Sequence, residues 1–155
     1  MMRNGIDVHN HLQEKDIKHE LVSVGGSIKN ALRMAELLDL DPRSIVKNLV
    51  FFADGTPVLA MVPGDCHVSS RKLKKVVQAA KVEFANDDQI TEVTGCLVGA
   101  TPPVGWVTTV TAVVDPQVIE NDIIYTAGGE TDLVLKMRAR DLVKATGATV
   151  ADIIE

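Results

Sequence analysis

The stretch Ile45-Val46-Lys47-Asn48-Leu49-Val50-Phe51-Phe52-Ala53-Asp54-Gly55-Thr56-Pro57-Val58-Leu59-Ala60-Met61-Val62 decides the fold. Its two halves, Ile45 to Ala53 and Thr56 to Val62, are rich in β-branched and aromatic residues. Asp54-Gly55 between them is a preferred two-residue hairpin turn. A β-hairpin is therefore predicted, its second strand ended by Pro63-Gly64-Asp65. Strand alternation puts Lys47 on one face with Ile45, Leu49 and Phe51, opposite Val46, Asn48, Val50 and Phe52. A lysine is out of place in so apolar a run. Either it snorkels from the strand end to water, or it is a fixed cation in a cleft, suited to a phosphate or a developing oxyanion. Asn48 adds an amide on the other face.

Upstream of the hairpin, residues 5–15 have helical character and Glu20 to Val24 reads as a strand. Ser27 is positioned to cap a helix over 28–39, with Ile28, Ala31, Leu32, Ala35 and Leu38 at helical spacing and Asp41-Pro42 as its stop. Downstream, Ser69 or Ser70 caps a helix reaching about residue 80, followed by a short strand at Val82 to Ala85. A short helix then runs from Asp87 to Val93 and stops at Gly95. Strand signals recur at Val107 to Val114, and again at Ile123 to Ala127 and Leu133 to Met137 flanking Gly128-Gly129. Arg140 to Thr146 is helical, and Val150 to Ile154 is expected to add a last turn. Short strands outnumber helices and are partly hairpin-connected. The expected class is α/β (α+β): a mixed, barrel-like β-sheet surrounded by helices, in one domain over residues 1–155.

Composition narrows the function classes. The chain of 155 residues carries a formal charge of −5, which argues against holding a long nucleic-acid duplex through backbone charge. Aromatics are 3%, too few for a surface that stacks many bases. No uncharged apolar stretch approaches the length of a membrane span and no secretory leader is evident, so a cytoplasmic location is expected. Cys66 and Cys96 are read as reduced thiols rather than a disulfide framework. Nothing resembles C-x-x-C or H-E-x-x-H, and His9 and His11 do not converge on a helix, so neither metal nor cofactor is expected. Cys66-His67 invites a thiol nucleophile, yet neighbours on extended backbone face opposite ways. The run Arg71, Lys72, Lys74, Lys75, Lys81 is a basic concentration in an acidic chain, ordinarily a solvated helix face. Residues 98–105, Val-Gly-Ala-Thr-Pro-Pro-Val-Gly, form a stiff turn with bare peptide groups able to bind a ligand's carbonyl or amine.

Read in order, these elements resemble a known family. Lys47 precedes a Leu-Val-Phe strand, followed by Pro63-Gly64-Asp65 and Thr94-Gly95. The G-x-x-x-P element Gly99 to Pro103 comes next, then Gly105, Asp115 and Ala127-Gly128-Gly129. The set is similar to the YbaK/EbsC family, which includes the editing domain of bacterial prolyl-tRNA synthetases. The resemblance implies the YbaK/prolyl-tRNA synthetase-associated domain fold and trans-editing hydrolysis of mischarged aminoacyl-tRNA, without a cofactor or a protein nucleophile. It implies Lys47 as the catalytic group and Asn48, Gly99, Ala100, Thr101 and Pro103 around the aminoacyl moiety. Arg71, Lys72 and Lys75 are then candidate contacts to the tRNA backbone. The expected substrate is tRNA carrying Cys, Ala or Ser, with tRNA for proline as the adaptor and prolyl-tRNA synthetase as a candidate partner. The Lys47-Asn48 pair resembles the branch that clears alanine. A non-catalytic module of the same fold, holding an acceptor end or a nucleotide, is the alternative.

Overall fold

The computed structural model describes residues 2–155. Its central element is the hairpin of β2 (Val46–Ala53) and β3 (Thr56–Pro63), paired in register from Val46↔Pro63 to Ala53↔Thr56. Asp54 and Gly55 both take positive φ, at 48° and 83°, as the tight turn requires. The Asp54 carboxylate also accepts from the N–H groups of Ala80 and Lys81, at 2.9 Å each, tying the turn to the approach of β4 (Val82–Phe84). Parallel pairing of β3 with β5 (Thr111–Val114), and of β5 with β8 (Thr149–Val150), completes a five-stranded sheet in the order β4-β2-β3-β5-β8. A second sheet, β1-β7-β6, is built from β1 (Glu20–Ser23), β7 (Leu133–Arg138) and β6 (Ile123–Ala127).

The expected barrel-like closure does not form. Hydrogen bonding joins the two sheets at one parallel bridge, Ile45↔Tyr125, and through the Thr126 hydroxyl, which donates to the Val46 carbonyl at 2.8 Å. Strand β4 covers β2 only from Phe51 to Ala53, so the start of β2 keeps an unpaired edge. That gap is where the sheets diverge.

Among the described residues six α-helices surround the sheets: α1 (Gly5–Glu14), α2 (Ala31–Leu38), α3 (Ser70–Val76), α4 (Asp87–Thr94), α5 (Pro116–Ile119) and α6 (Ala139–Thr146). The main core lies between the sheets. Val46, Leu59, Met61 and Val114 of one sheet meet Ile124, Leu135 and Met137 of the other, with Val8 and Leu12 of α1 and Leu142 of α6 closing it. The far side of the hairpin packs Phe51, Val58 and Val62 on Leu73 of α3.

Several elements differ from the sequence reading. Helix α2 starts at Ala31, capped by Asn30, whose side chain accepts from the Arg33 N–H. Ser27 does not cap it, because the next residue, Ile28, is drawn away by a hydrogen bond from its N–H to the Thr131 carbonyl. A left-handed Asp39 ends this helix before Pro42, which opens a 3-10 turn instead. Strand β5 is shorter than expected because Val107 bonds to Thr94 rather than to a strand. The C-terminal turn predicted as helix is extended: β8 joins β5 and Ile154 bridges Val68. Helix α5, opened by Asp115-Pro116, escaped the sequence reading because its four residues are too few for a period.

Candidate active site

The unpaired edge of β2 opens onto a cavity of about 270 Å³. Lys47, Asn48 and Leu49 of β2 line it, together with Gly99 and Thr101 of the glycine–proline loop. Ile28, Met34 and Ile90 supply apolar walls, and Ala127 closes the end nearest β6. Sequence patterns placed Ile28 only on a helix face and gave no sign that these three residues share a cavity wall. They come from α2, its approach and α4, and only packing brings them to the same hollow.

Lys47 is half-buried, and its ammonium donates to the Cys66 carbonyl on the turn after β3. Burial holds its pKa below the ordinary lysine value, while the neighbouring Cys66 and Asp65 pull it upward. The result is a cation fixed at the cavity wall.

Asn48 joins three segments. Its Nδ2 donates to the Thr101 carbonyl at 3.0 Å and to the Thr126 hydroxyl at 2.7 Å. Thr126 in turn donates to Val46. This orders the loop against both sheets and fixes which end of the amide points where. The other end, Oδ1, is buried without a hydrogen-bond partner, an arrangement that costs free energy. The backbone of Asn48 matters as well. In a two-residue hairpin the closing pair, here Ala53↔Thr56, exchanges both hydrogen bonds. Alternation from that pair turns the peptide groups of Val46, Asn48 and Val50 away from β3. The Val50 carbonyl is taken by the Ala85 N–H and the Val46 carbonyl by Thr126. Between them, the N–H and C=O of Asn48 lie on the open edge.

The loop residues separate into two groups. Gly99 and Thr101 face the cavity. Gly99 has φ of 89°, a conformation L side chains resist, although space around it is open. Ala100 is fully buried, with its N–H donated to the Leu97 carbonyl. Pro103 is buried behind the loop and lines a different hollow beside Trp106. The Trp106 indole N–H donates to the Pro102 carbonyl at 2.7 Å, stiffening the loop from behind.

Other candidate residues lie elsewhere. Arg71, Lys72 and Lys75 do not line the cavity. Lys72 is committed to Asp152 at 2.9 Å and to the Ile154 carbonyl at 2.8 Å. The Cys66 thiol is pushed up by burial and by the adjacent Asp65, which disfavours the thiolate a nucleophile needs. Burial likewise raises Cys96 to about 11. Among the described residues no group of three or more His, Cys, Asp or Glu side chains is placed to hold a metal ion. No helix among them is long and apolar enough to cross a membrane.

Comparison with known proteins gives a consistent result. The sequence model of the aminoacyl-tRNA editing domain family matches residues 26–145. A proline–tRNA ligase of Geobacter sulfurreducens is 32% identical over 117 residues, covering 76% of this chain and 20% of that protein. The chain spans about a fifth of the length of the curated relatives it matches. Among solved structures, a hypothetical protein superposes with a TM-score of 0.91 at 28% identity, over 96% of this chain and 99% of that one. A structure described as a candidate trans-editing enzyme for prolyl tRNA synthetase superposes with a TM-score of 0.89 at 26% identity, over 100% and 99%.

Proposed function

The chain belongs to the aminoacyl-tRNA editing domain family, and from that premise we propose that it hydrolyses the ester linking a small amino acid to the end of a mischarged tRNA. The observation that carries this is the meeting of Lys47 with Gly99 and Thr101 around one cavity of about 270 Å³. Such a volume is at the small end of ligand sites, roughly 300–1,000 Å³. It admits an aminoacyl group and part of a ribose while the rest of the tRNA stays outside.

The reaction needs little from the protein. Water attacks the ester carbonyl carbon, the carbonyl oxygen becomes an oxyanion, and the C–O bond to the ribose breaks as that oxygen takes a proton. An aminoacyl ester is already activated, so orientation and charge neutralisation suffice. Lys47 is assigned to the terminal phosphate or to the developing negative charge. The peptide groups of Asn48 that face away from β3 and the backbone of Gly99 are assigned to the aminoacyl moiety, with the Thr101 segment held in place by the Asn48 amide. Ala100 and Pro103 support the loop from the buried side. The neutral Cys66 thiol fits a mechanism with no protein nucleophile.

The amino acid removed is proposed to be small, Ala, Cys or Ser, on tRNA for proline, with prolyl-tRNA synthetase as a partner. One added methylene in an apolar pocket changes affinity by only about 1–3 kcal/mol, so the walls formed by Ile28, Met34 and Ile90 set the preference. The test is a deacylation panel with tRNA carrying Ala, Cys, Ser or Pro, using wild type and Lys47→Ala. Cleavage of at least one substrate by wild type, with most of the rate lost in Lys47→Ala, is expected. Absence of cleavage across the panel would remove the hydrolase assignment.

A further inference from the structure

A second hollow, of about 730 Å³, lies on the same molecule, lined by Lys18, Lys136 and Arg138 with His9, His19, Asp16 and Glu20 among its walls. We propose that this groove docks the phosphodiester backbone of the tRNA acceptor end whose aminoacyl ester enters the catalytic cavity. The inference rests on the deacylase reading and adds to it a place for the rest of the substrate.

The first argument is position. Strand β6 runs from Ile123, which lines the groove, to Ala127, which lines the catalytic cavity. Alternation puts Ile123, Tyr125 and Ala127 on one face of the three-stranded sheet. Cross-strand register puts Arg138, Lys136 and Val134 beside them in turn. Four strand steps, with three residues between, separate the two hollows by about 13 Å, which a few nucleotides of single strand span. Tyr125 lies midway, half-buried, with the Lys136 ammonium 5.9 Å from its ring centroid.

The second argument is charge. In a chain of net charge −5, the groove gathers three permanent cations against the two carboxylates of Asp16 and Glu20. Arg138 is paired with Asp141 at 3.1 Å. Lys18 and Lys136 enter none of the ion pairs among the described residues, so both ammonium groups are available to an external anion. By contrast, Lys72 of the basic helix α3 is already spent on Asp152 and the C-terminal backbone.

The third argument is the histidine pair. His19 Nδ1 donates to the Ile17 carbonyl at 2.8 Å, so its Nε2 is the acceptor facing His9 Nδ1, also at 2.8 Å. Both imidazoles are thereby held in fixed orientation on the groove wall, beside Lys18.

The test uses the full chain with Lys18→Gln, Lys136→Gln and the double variant. Binding of an uncharged acceptor-stem minihelix ending in CCA is read by fluorescence anisotropy across a salt series. Hydrolysis of an aminoacyl-adenosine, which carries no phosphodiester, is read in parallel. The double variant is expected to bind the minihelix about tenfold more weakly and to flatten the log–log salt slope by about 1.4, two single-strand phosphate contacts. Its rate on aminoacyl-adenosine reports that the cavity is intact. Wild-type affinity and salt slope in the double variant would overturn the proposal, as would an equal loss produced instead by Arg71→Gln/Lys75→Gln. A minihelix that wild type does not bind would overturn it too. If wild type binds the minihelix and loses it in the double variant, yet hydrolyses no ester, the groove stands and the deacylase reading falls.

Discussion

At Lys47 the demands of stability and of the proposed chemistry oppose each other. A lysine whose pKa is lower folded than unfolded binds fewer protons in the folded state between the two values. Stability then rises with pH through that window, up to the ordinary value of 10.5, and at neutral pH the buried ammonium is a net cost. Lys47→Met should therefore unfold at a temperature no lower than wild type at pH 7, while its deacylation rate falls by about 100-fold or more. Thermal unfolding and rate measured on the same preparation check this. A variant that loses activity only in proportion to its unfolded fraction would remove Lys47 from the chemistry. Asp115 shows the reverse case, a residue quoted for its family pattern that acts on stability. Its carboxylate is buried, accepting from the Gln117 N–H at 2.9 Å and from the Ile153 N–H at 3.0 Å. It therefore caps α5 and pins the C-terminal segment at once. Asp115→Ala should cost on the order of 3 kcal/mol, a fall of roughly 6–12 °C in Tm, with KM for any ester substrate unchanged in the folded fraction.

At the scale of elements, the candidate hollow exists because β4 pairs with β2 along only part of its length and β6 is bridged only at Ile45, just before β2. Asn48 then ties the loose glycine–proline loop to that edge. Asn48→Ala leaves the Thr101 carbonyl and the Thr126 hydroxyl each short of one partner, a loss of about 1–3 kcal/mol, offset in part because the orphaned Oδ1 disappears as well. The expected kinetic signature is a rise in KM larger than the fall in kcat, with faster amide exchange at Ala100 and Thr101. A fall in kcat alone would show that the tether does not position substrate. Thr126→Val tests the same network from β6: the buried Val46 carbonyl loses its donor, and stability should fall by about 1–3 kcal/mol. Close approach also explains Gly128-Gly129. A Cβ on Gly129 would stand 3.0 Å from the Asn4 backbone at a φ of 96°, so this turn admits the start of α1 only with glycine.

For the whole molecule, acidity and the proposed RNA binding are reconciled if the contacts are few. A shallow salt dependence of tRNA affinity is expected, and a slope steeper than about −5 would imply more phosphates than the groove can hold. The hairpin, its turn, most of the helices and strands and the singular Lys47 were readable in the sequence, because period, turn chemistry and an out-of-place charge are local properties, whereas the four-residue α5 and the extended C-terminal segment were not. The order Gly99 to Pro103 was readable as a stiff turn for the same reason. Tertiary structure alone decided that the sheets stay open rather than close into a barrel, since closure depends on which strand edges meet. It alone separated Gly99 and Thr101 at the cavity from Ala100 and Pro103 behind it, and brought Ile28, Met34 and Ile90 to the wall. It also turned Lys18 and Lys136, 118 positions apart in the chain, into neighbours on one groove. Such assignments depend on contacts between residues distant in sequence, and no local pattern encodes them.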